Sequence, residues 1–219
     1  MRTTLLLVAL ASTARAATTE IGPGDDAEAA MNALRPGDEL VLRGGTYPLS
    51  GRFGVTLRGT ATLPIVVRSR DGERAHLRRD GADQNIVDVD AAEHATLRGL
   101  ELSGGSAGLR ISAASHLTVE DCEIHDTADV ALRANDGGAV YESVRILRNH
   151  LHHTSGTGEG MYLGCNSNAC QFANGTIAGN HVHHTNQPGV TQGDGIELKE
   201  GSYGNVIADN VVHDTNYPC

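Results

Sequence analysis

Tryptophan is absent from the sequence, and aromatic side chains make up only 3% of its 219 residues. A core of large rings is therefore excluded, so the interior must be filled by valine, isoleucine, leucine and alanine in thin layers, as it is in solenoid proteins. Beyond residue 16 the chain also has no apolar run long enough to cross a bilayer. We therefore expect a repetitive architecture and no membrane span.

Lysine is also scarce, because Lys199 is the single lysine among 17 basic residues. The net charge is −10 at pH 7, so the chain is a poor general binder of nucleic acid. It would also repel an acidic sugar polymer unless a cation or a local basic groove intervened. We expect no nucleic-acid partner.

The first 16 residues have the pattern of a signal peptide. Arg2 gives a positive start, an apolar stretch runs from Leu5 to Leu10, and Ala14-Arg15-Ala16 forms a small-x-small cleavage site. An ordinary buried N-terminal helix is the alternative. We predict a signal peptide over residues 1–16, one domain over residues 17–219, and a secreted, periplasmic or cell-surface location.

Four cysteines suit an oxidising compartment. Cys165 and Cys170 enclose four residues, and we predict a disulfide between them; a metal site is the weaker alternative, since a lone C-x4-C lacks a second ligand pair. Cys122 and Cys219 are left without an assigned pairing. Because the chain stops at Cys219, just after a strand and without a cap, we expect the domain to be incomplete at its C-terminus.

Internal periodicity is the main structural signal. Five segments superimpose, with starts separated by 22, 27, 31 and 30 residues: 97–102, 119–124, 146–151, 177–182 and 207–212. Short apolar stretches at this period, without helical spacing, indicate the coils of a parallel β-helix. The fourth position of the segments reads Leu100, Cys122, Asn149, Asn180 and Asn210. The asparagines predict a ladder of bonded amides, and Cys122 in the same slot predicts a buried free thiol.

A second strand series lies between those segments, at 108–111, 131–134, 160–163 and 195–198. Side chains alternate along a strand, so the third residue of each tetrad should point outward. Those outward residues are Arg110, Arg133, Tyr162 and Glu197. Lys199 follows two residues later on the same face.

The N-terminal third is predicted to form a cap and the first coils. Asp25 or Asp26 is placed to cap a short helix that continues to Leu34. Strands are predicted at 39–42, 54–57, 64–67 and 86–89, separated by glycine-rich turns. The fold class is therefore all-β, a parallel β-helix with a short N-terminal capping helix.

The opening 36–47, PGDELVLRGGTY, and coil patterns such as 177–185, IAGNHVHHT, resemble the pectate-lyase-like superfamily of right-handed parallel β-helices. The resemblance covers nearly all of the mature chain and implies a right-handed helix. Residues 194–199, DGIELK, followed by Asn205 and Asn210, are similar to the active-site strand of the alginate lyase and chondroitinase B family. That similarity implies that Asp194 is a calcium ligand and Lys199 the catalytic base.

Elementary chemistry points to the same lysine. Lyases of uronate polymers remove a weakly acidic proton from C5, so they need a neutralised carboxylate and a base that titrates. Arginine stays protonated in proteins whereas lysine can lose its proton. Lys199 and Arg133 are the catalytic candidates. The alternative for Lys199 is a solvated lysine paired with Glu197 or Glu200.

Glu159 and Asp194 each precede the glycine of their tetrad, so adjacent coils should bring them about 4.8 Å apart. Two carboxylates at that separation favour Ca²⁺, although turn residues bonding local N–H groups are the alternative. Arg110, Tyr162 and Glu197 are the candidate substrate-binding residues, with Arg110, Arg133 and Lys199 forming a basic strip. Arginine stems that simply cover apolar surface are the alternative there.

Histidines recur at equivalent repeat positions. His125, His152, His183 and His213 share one position, and His150 and His181 lie two residues before two of them. A stacked structural ladder is the favoured interpretation, because the repeat alone would generate it. Binding of Zn²⁺ or Cu²⁺ is the alternative.

Together these features predict an exported, monomeric protein that acts on acidic polysaccharide. The leading hypothesis is a Ca²⁺-assisted lyase that cleaves by β-elimination, or a closely related epimerase. The alternative is a non-catalytic carbohydrate-binding or cell-surface β-helix.

Overall fold

The chain is described by a computed structural model that covers residues 16–217. Residues 1–15 of the predicted signal peptide, and Cys219, lie outside that range. Within it the fold is almost entirely β-structure, as predicted, with one α-helix and one 3-10 turn at Asn166–Asn168. The same residues contain no helix that is long and apolar enough to pass through a membrane.

The helix, α1, spans Ala27–Asn32 at the N-terminal end. Asp26 caps it, because its carboxylate accepts a hydrogen bond of 2.9 Å from the Ala29 N–H. The cap was predicted, but the extension to Leu34 is wrong: the helix ends at Asn32. The Asn32 amide bonds the backbone at Gly54 and Thr56, which ties the end of α1 to the first coil.

Residues 16–217 contain twenty-two strands, β1 to β22 in chain order, which run parallel to their neighbours and form three stacks. The first stack contains β4 (Gly54–Arg58), β7 (Val87–Arg98), β9 (Leu109–Ile111), β12 (Leu132–Ala134), β16 (Met161–Leu163) and β20 (Ile196–Leu198). The second contains β1 (Thr18–Ile21), β2 (Glu39–Leu42), β5 (Ile65–Ser69), β10 (Ala114–Glu120), β13 (Val140–Glu142), β14 (Arg145–Leu147), β17 (Gln171–Ala173), β18 (Thr176–Ala178) and β21 (Val206–Ala208). The third contains β3 (Gly45–Pro48), β6 (Ala75–Arg79), β8 (Leu100–Gly104), β11 (Glu123–Thr127), β15 (His150–Thr154), β19 (His181–His183) and β22 (Val211–His213).

The long strand β7 belongs to two stacks at once. Its residues 87–89 pair with β9, whereas residues 92–98 pair with β10. The first two stacks are therefore one continuous 15-stranded sheet, and the third is a separate sheet of 7 strands. This topology is a parallel β-helix with three faces.

The predicted columns are confirmed in register. Ile124 pairs with Leu151, and Leu151 with Val182, and all three side chains are fully buried. One coil alone could not bury these side chains, so the core exists only because the coils stack.

The asparagine ladder is also confirmed. The Asn149 amide nitrogen donates to Asn180 Oδ1 at 3.0 Å, and the Asn180 amide nitrogen donates to Asn210 Oδ1 at 2.9 Å. Each amide also bonds backbone of the neighbouring coils, so the buried turn is satisfied. Cys122 occupies the same slot one coil earlier as a buried free thiol, and its N–H donates to Asn149 Oδ1. The predicted Cys165–Cys170 disulfide is present.

A polar turn recurs in four coils of the third stack, at the ends of β11 and β15 and directly after β19 and β22. Its first residue has a left-handed φ of 50° to 55° at Asp126, His153, His184 and Asp214. Aspartate and histidine tolerate this conformation better than most residues. The next residue is threonine, and the buried hydroxyls of Thr127 and Thr185 donate to carbonyls of the following loop.

Candidate functional site

The first stack carries a column of four outward side chains in register. Arg110 pairs with Arg133, Arg133 with Tyr162, and Tyr162 with Glu197 on successive strands β9, β12, β16 and β20. The residues that flank them point inward and are buried: Leu109, Leu132, Met161 and Ile196. The alternation predicted for the tetrads is therefore correct.

Glycine is required at position 160, where one of these coils enters its strand. A Cβ on Gly160 would lie 2.4 Å from Val182 Cγ1 and 2.6 Å from the Gly195 carbonyl oxygen of the next coil. The close approach of the coils at this point brings the preceding residues, Glu159 and Asp194, next to each other.

Three carboxylates meet at that entry point, and we call Glu159, Asp194 and Glu197 the carboxylate cluster. One oxygen of each lies within 4.8 Å of the others. Glu159 has no exposed surface, although sequence patterning gave no sign that this carboxylate is buried. Glu197, which is predicted to bind substrate, also brings a carboxylate oxygen to this point.

The carboxylate cluster contains polar atoms without partners. Glu159 Oε1 and Glu197 Oε2 are both buried and accept no hydrogen bond within the described residues. Glu159 Oε2 lies 2.5 Å from the Thr157 hydroxyl, which also lies 2.7 Å from Asp129 Oδ1. A hydroxyl has one proton, so it cannot donate to both carboxylates.

Burial raises the pKa of the Glu159 carboxyl, and the nearby charges of Glu197 and Asp129 raise it further. A buried carboxylate in this position must bind a proton or a cation, because an unpaired buried charge is costly. Three carboxylates, two of which have an unpartnered buried oxygen, are a donor set that suits Ca²⁺, which prefers oxygen ligands.

Lys199 lies beside the carboxylate cluster. Its amine donates a hydrogen bond to Glu197 Oε1 and lies 4.5 Å from the centroid of the Tyr162 ring. Partial burial by itself would lower the pKa of the Lys199 amine, but the hydrogen bond and charge of Glu197 outweigh that effect and raise it. In this arrangement Lys199 is held in its protonated form.

The two arginines of the column are also paired with carboxylates. Arg110 Nη2 lies 2.7 and 2.9 Å from the two Asp136 oxygens, and Arg133 Nη1 lies 3.6 Å from Asp129 Oδ2. The predicted basic strip is thus a row of ion pairs. Arg133 Nε is buried without a hydrogen-bond partner among the described residues, so this side chain retains an unused donor.

The structure therefore gathers most of the predicted site residues. The carboxylate cluster, Lys199 and Tyr162 lie together, with Arg133 one coil away from Tyr162 and Arg110 one coil further. Sequence patterning missed Thr157 and Asp129. The signal for Thr157 was its position two residues before Glu159, while Asp129 is linked to Glu159 only through the stacking of coils.

The histidines form a stacked ladder on the third stack, as predicted. The rings of His125, His152, His183 and His213 follow one another at centroid separations of 5.0 to 5.1 Å. His150 and His181 stack at 5.0 Å beside them, with an interplanar angle of 4°. This sheet is separate from the one that bears the carboxylate cluster.

One curated relative is similar over part of the chain. The pectate lyase PEL9 of Emericella nidulans (strain FGSC A4) is 30% identical over 115 residues. The aligned region is 46% of this chain and 28% of that protein, so this chain spans less than a third of that relative.

Two solved structures share the fold. The crystal structure of an alginate lyase from Paenibacillus sp. str. FPU-7 has a TM-score of 0.74 at 25% identity, covering 89% of this chain and 65% of that one. Pectate lyase Pel9A has a TM-score of 0.67 at 17% identity, covering 91% of this chain and 64% of that one.

The family comparison covers nearly the whole chain. The family model described as the Pel9A-like, right-handed β-helix region matches residues 6–215. The three-faced parallel coil of residues 16–217 agrees with that description, and the right-handed fold class predicted from the sequence is confirmed. The chain belongs to the Pel9A-like right-handed β-helix family.

Proposed function

We propose that this chain is an exported, monomeric polysaccharide lyase that cleaves an acidic polysaccharide by β-elimination, with Lys199 as the base. The observation that carries the proposal is the carboxylate cluster with two buried, unpartnered oxygens beside the single lysine of the chain. Membership of the Pel9A-like family, the similarity to a pectate lyase and the likeness to an alginate lyase support the choice of a uronate polymer.

Glu159, Asp194 and Glu197 would hold Ca²⁺ through carboxylate oxygens, the ligand type that this ion prefers. Bound Ca²⁺ would supply positive charge that neutralises a uronate carboxylate of the substrate and so makes the C5 proton more acidic. Thr157 would help to orient Glu159, because its hydroxyl lies within hydrogen-bonding distance of Oε2.

Lys199 can act as a base only when its amine is neutral. Glu197 is shared between the carboxylate cluster and Lys199, so a Glu197 that turns fully to the cluster leaves the amine without its ion pair. That loss lowers the pKa of Lys199 towards the range in which it can accept a proton. The C5–H electron pair then forms the C4–C5 double bond, the C4–O bond breaks, and the leaving oxygen takes up a proton.

Tyr162 and the arginines would position the polymer. Tyr162 lies between Arg133 and Glu197 in the outward column and presents a ring on which a sugar can stack. Arg133 has an unpartnered Nε and only a 3.6 Å ion pair with Asp129, so it remains able to bind a uronate carboxylate. Arg110 is held more firmly by Asp136 and would contact a sugar further along the polymer.

The test is an ultraviolet assay for unsaturated uronate ends, run on alginate, pectate and glycosaminoglycans with and without Ca²⁺. Lys199→Ala and Lys199→Arg should both abolish product, since arginine keeps the charge but cannot serve as the base. Arg145→Ala is the matched control, because this exposed arginine lies on β14 in the second stack. Retention of a polymer by the wild-type chain without new absorbance would contradict the lyase and favour a binding protein.

A further inference from the structure

The histidines of the third stack do more than follow one another along the coil axis. His150 on β15 pairs in register with His181 on β19, and His183 lies two residues beyond His181 on the same face of the sheet. Cross-strand neighbours and i, i+2 neighbours are the two arrangements that bring side chains together on a β-sheet. One nitrogen of each of these three rings lies within 4.8 Å of the others.

Two of the nitrogens already converge. His150 Nε2 lies 2.7 Å from His183 Nε2. In a tetrahedral zinc site with Zn–N bonds of about 2.0–2.1 Å, neighbouring nitrogens lie about 3.3 Å apart. The two rings would therefore have to separate by roughly half an ångström, which small side-chain rotations provide. We propose that His150, His181 and His183 form a binding site for a divalent transition-metal ion, with Zn²⁺ as the ion that this set of ligands suits.

Both converging rings have an acceptor at their other nitrogen. His150 Nδ1 lies 3.5 Å from Glu123 Oε1, and His183 Nδ1 lies 2.6 Å from His184 Nδ1. A histidine that binds a metal through Nε2 must carry its proton on Nδ1, and metal-bound histidines usually donate that proton to a carboxylate or another acceptor. Two of the three rings therefore already have a group beside the nitrogen that would not bind the metal.

The ligand chemistry separates this site from the carboxylate cluster. Imidazole nitrogens suit Zn²⁺, Cu²⁺ and Ni²⁺, whereas Ca²⁺ takes oxygen ligands. The His150 side chain is 38% exposed, which leaves access for the ion and a fourth position for water.

A metal ion held in this way would join two coils. His150 belongs to one coil and His181 and His183 to the next, so binding would oppose separation of β15 from β19. A ligand that binds only the folded state raises its stability. Two measurements should consequently detect the site: the amount of bound Zn²⁺ and an increase in the midpoint of thermal unfolding.

The test is equilibrium dialysis of the full chain against Zn²⁺ alone, with thermal unfolding measured on the same samples. The wild type should bind one equivalent of Zn²⁺. His150→Ala and His183→Ala should each weaken that binding by more than about 100-fold. Loss of an outer partner usually costs metal sites about 10- to 100-fold, so Glu123→Gln should weaken binding by about that much. Co²⁺ in place of Zn²⁺ should give the visible absorption of a tetrahedral nitrogen site in the wild type only.

Two controls keep the outcome specific. His94 and His116 form another stacked pair, with ring centroids 4.3 Å apart, and both have a left-handed φ. His94→Asn should leave Zn²⁺ binding unchanged, because asparagine tolerates that conformation. Arg145→Ala should also leave it unchanged, since this exposed arginine lies on the other sheet. Equal Zn²⁺ uptake by the wild type and by a folded His150→Ala, His183→Ala double variant would overturn the proposal.

Discussion

Lys199 donates a hydrogen bond to Glu197, two residues earlier, and the same Glu197 carboxylate takes part in the carboxylate cluster. One side chain therefore links the candidate base to the candidate cation site. Any change that occupies Glu197 at the carboxylate cluster also changes the proton affinity of Lys199. A change at the carboxylate cluster should therefore be measurable at Lys199, and a change at Lys199 should be measurable at the carboxylate cluster.

The first prediction concerns the proton affinity of Lys199. Glu197→Gln should lower the pKa of the amine, because the hydrogen bond and charge of Glu197 are what raise it against the opposite effect of burial. Since Lys199 is the chain's single lysine, one ¹³Cε-lysine resonance reports its titration in NMR. Glu200→Gln is the control, because that exposed carboxylate bonds the Ser167 N–H instead. An unchanged pKa in Glu197→Gln would show that the ion pair is absent in solution.

The second prediction concerns Glu159. Its folded-state pKa lies above its ordinary value of 4.5, so the folded chain holds this proton more tightly than the unfolded chain does. The stability that this group contributes is therefore lost as pH rises through its folded-state pKa. Glu159→Gln removes the buried charge, so it should raise the midpoint of thermal unfolding at pH 7 in the presence of a chelator.

Calcium should reverse that order. Saturation at about 100 times the dissociation constant stabilises a folded protein by about 2.7 kcal/mol. The wild type should gain stability of that order on adding Ca²⁺, and Glu159→Gln should gain much less. Glu93→Gln is the control because that side chain is exposed on another part of the coil. A calcium response that survives in Glu159→Gln would remove this residue from the proposed site.

The third prediction concerns the asparagine ladder. Asn180→Ala should lower the free energy of unfolding by about 2–4 kcal/mol, because the buried Asn149 backbone N–H loses its Asn180 acceptor and the Ile146 carbonyl loses its Asn180 donor. Asn210→Ala should cost less, since Asn210 is part-exposed and water can replace its bonds. Urea unfolding of both variants measures the difference. Equal losses would mean that burial does not decide the strength of the ladder.

The fourth prediction concerns Cys122. Burial raises the pKa of its thiol to about 12, so at pH 8 roughly one molecule in ten thousand carries the reactive thiolate. Cys122 should resist iodoacetamide in the folded chain and react fully in urea, as measured by peptide mass spectrometry. Rapid labelling of the native chain would contradict the burial of this residue.

Much of the site could be predicted because a coil repeat converts sequence spacing into spatial neighbours. Once the period was identified, the pairing of Arg133 with Tyr162 and the ladder of Asn149 and Asn180 followed directly. The cap at Asp26 followed from local hydrogen bonding. The end of α1 could not be predicted in this way, because it depends on hydrogen bonds from Asn32 to a strand more than twenty residues away.

The sequence by itself determined which residues stack, since the period and the inward aliphatic positions leave one register that buries the core. Only the tertiary structure decided what the stacked side chains do. It buried Glu159 completely, turned Glu197 towards it and placed Lys199 against Glu197. These outcomes depend on rotamers and on contacts across coils, where the Glu159 and Asp129 carboxylates compete for the single hydroxyl proton of Thr157. A repeat pattern specifies position along the coil but carries no information about that competition.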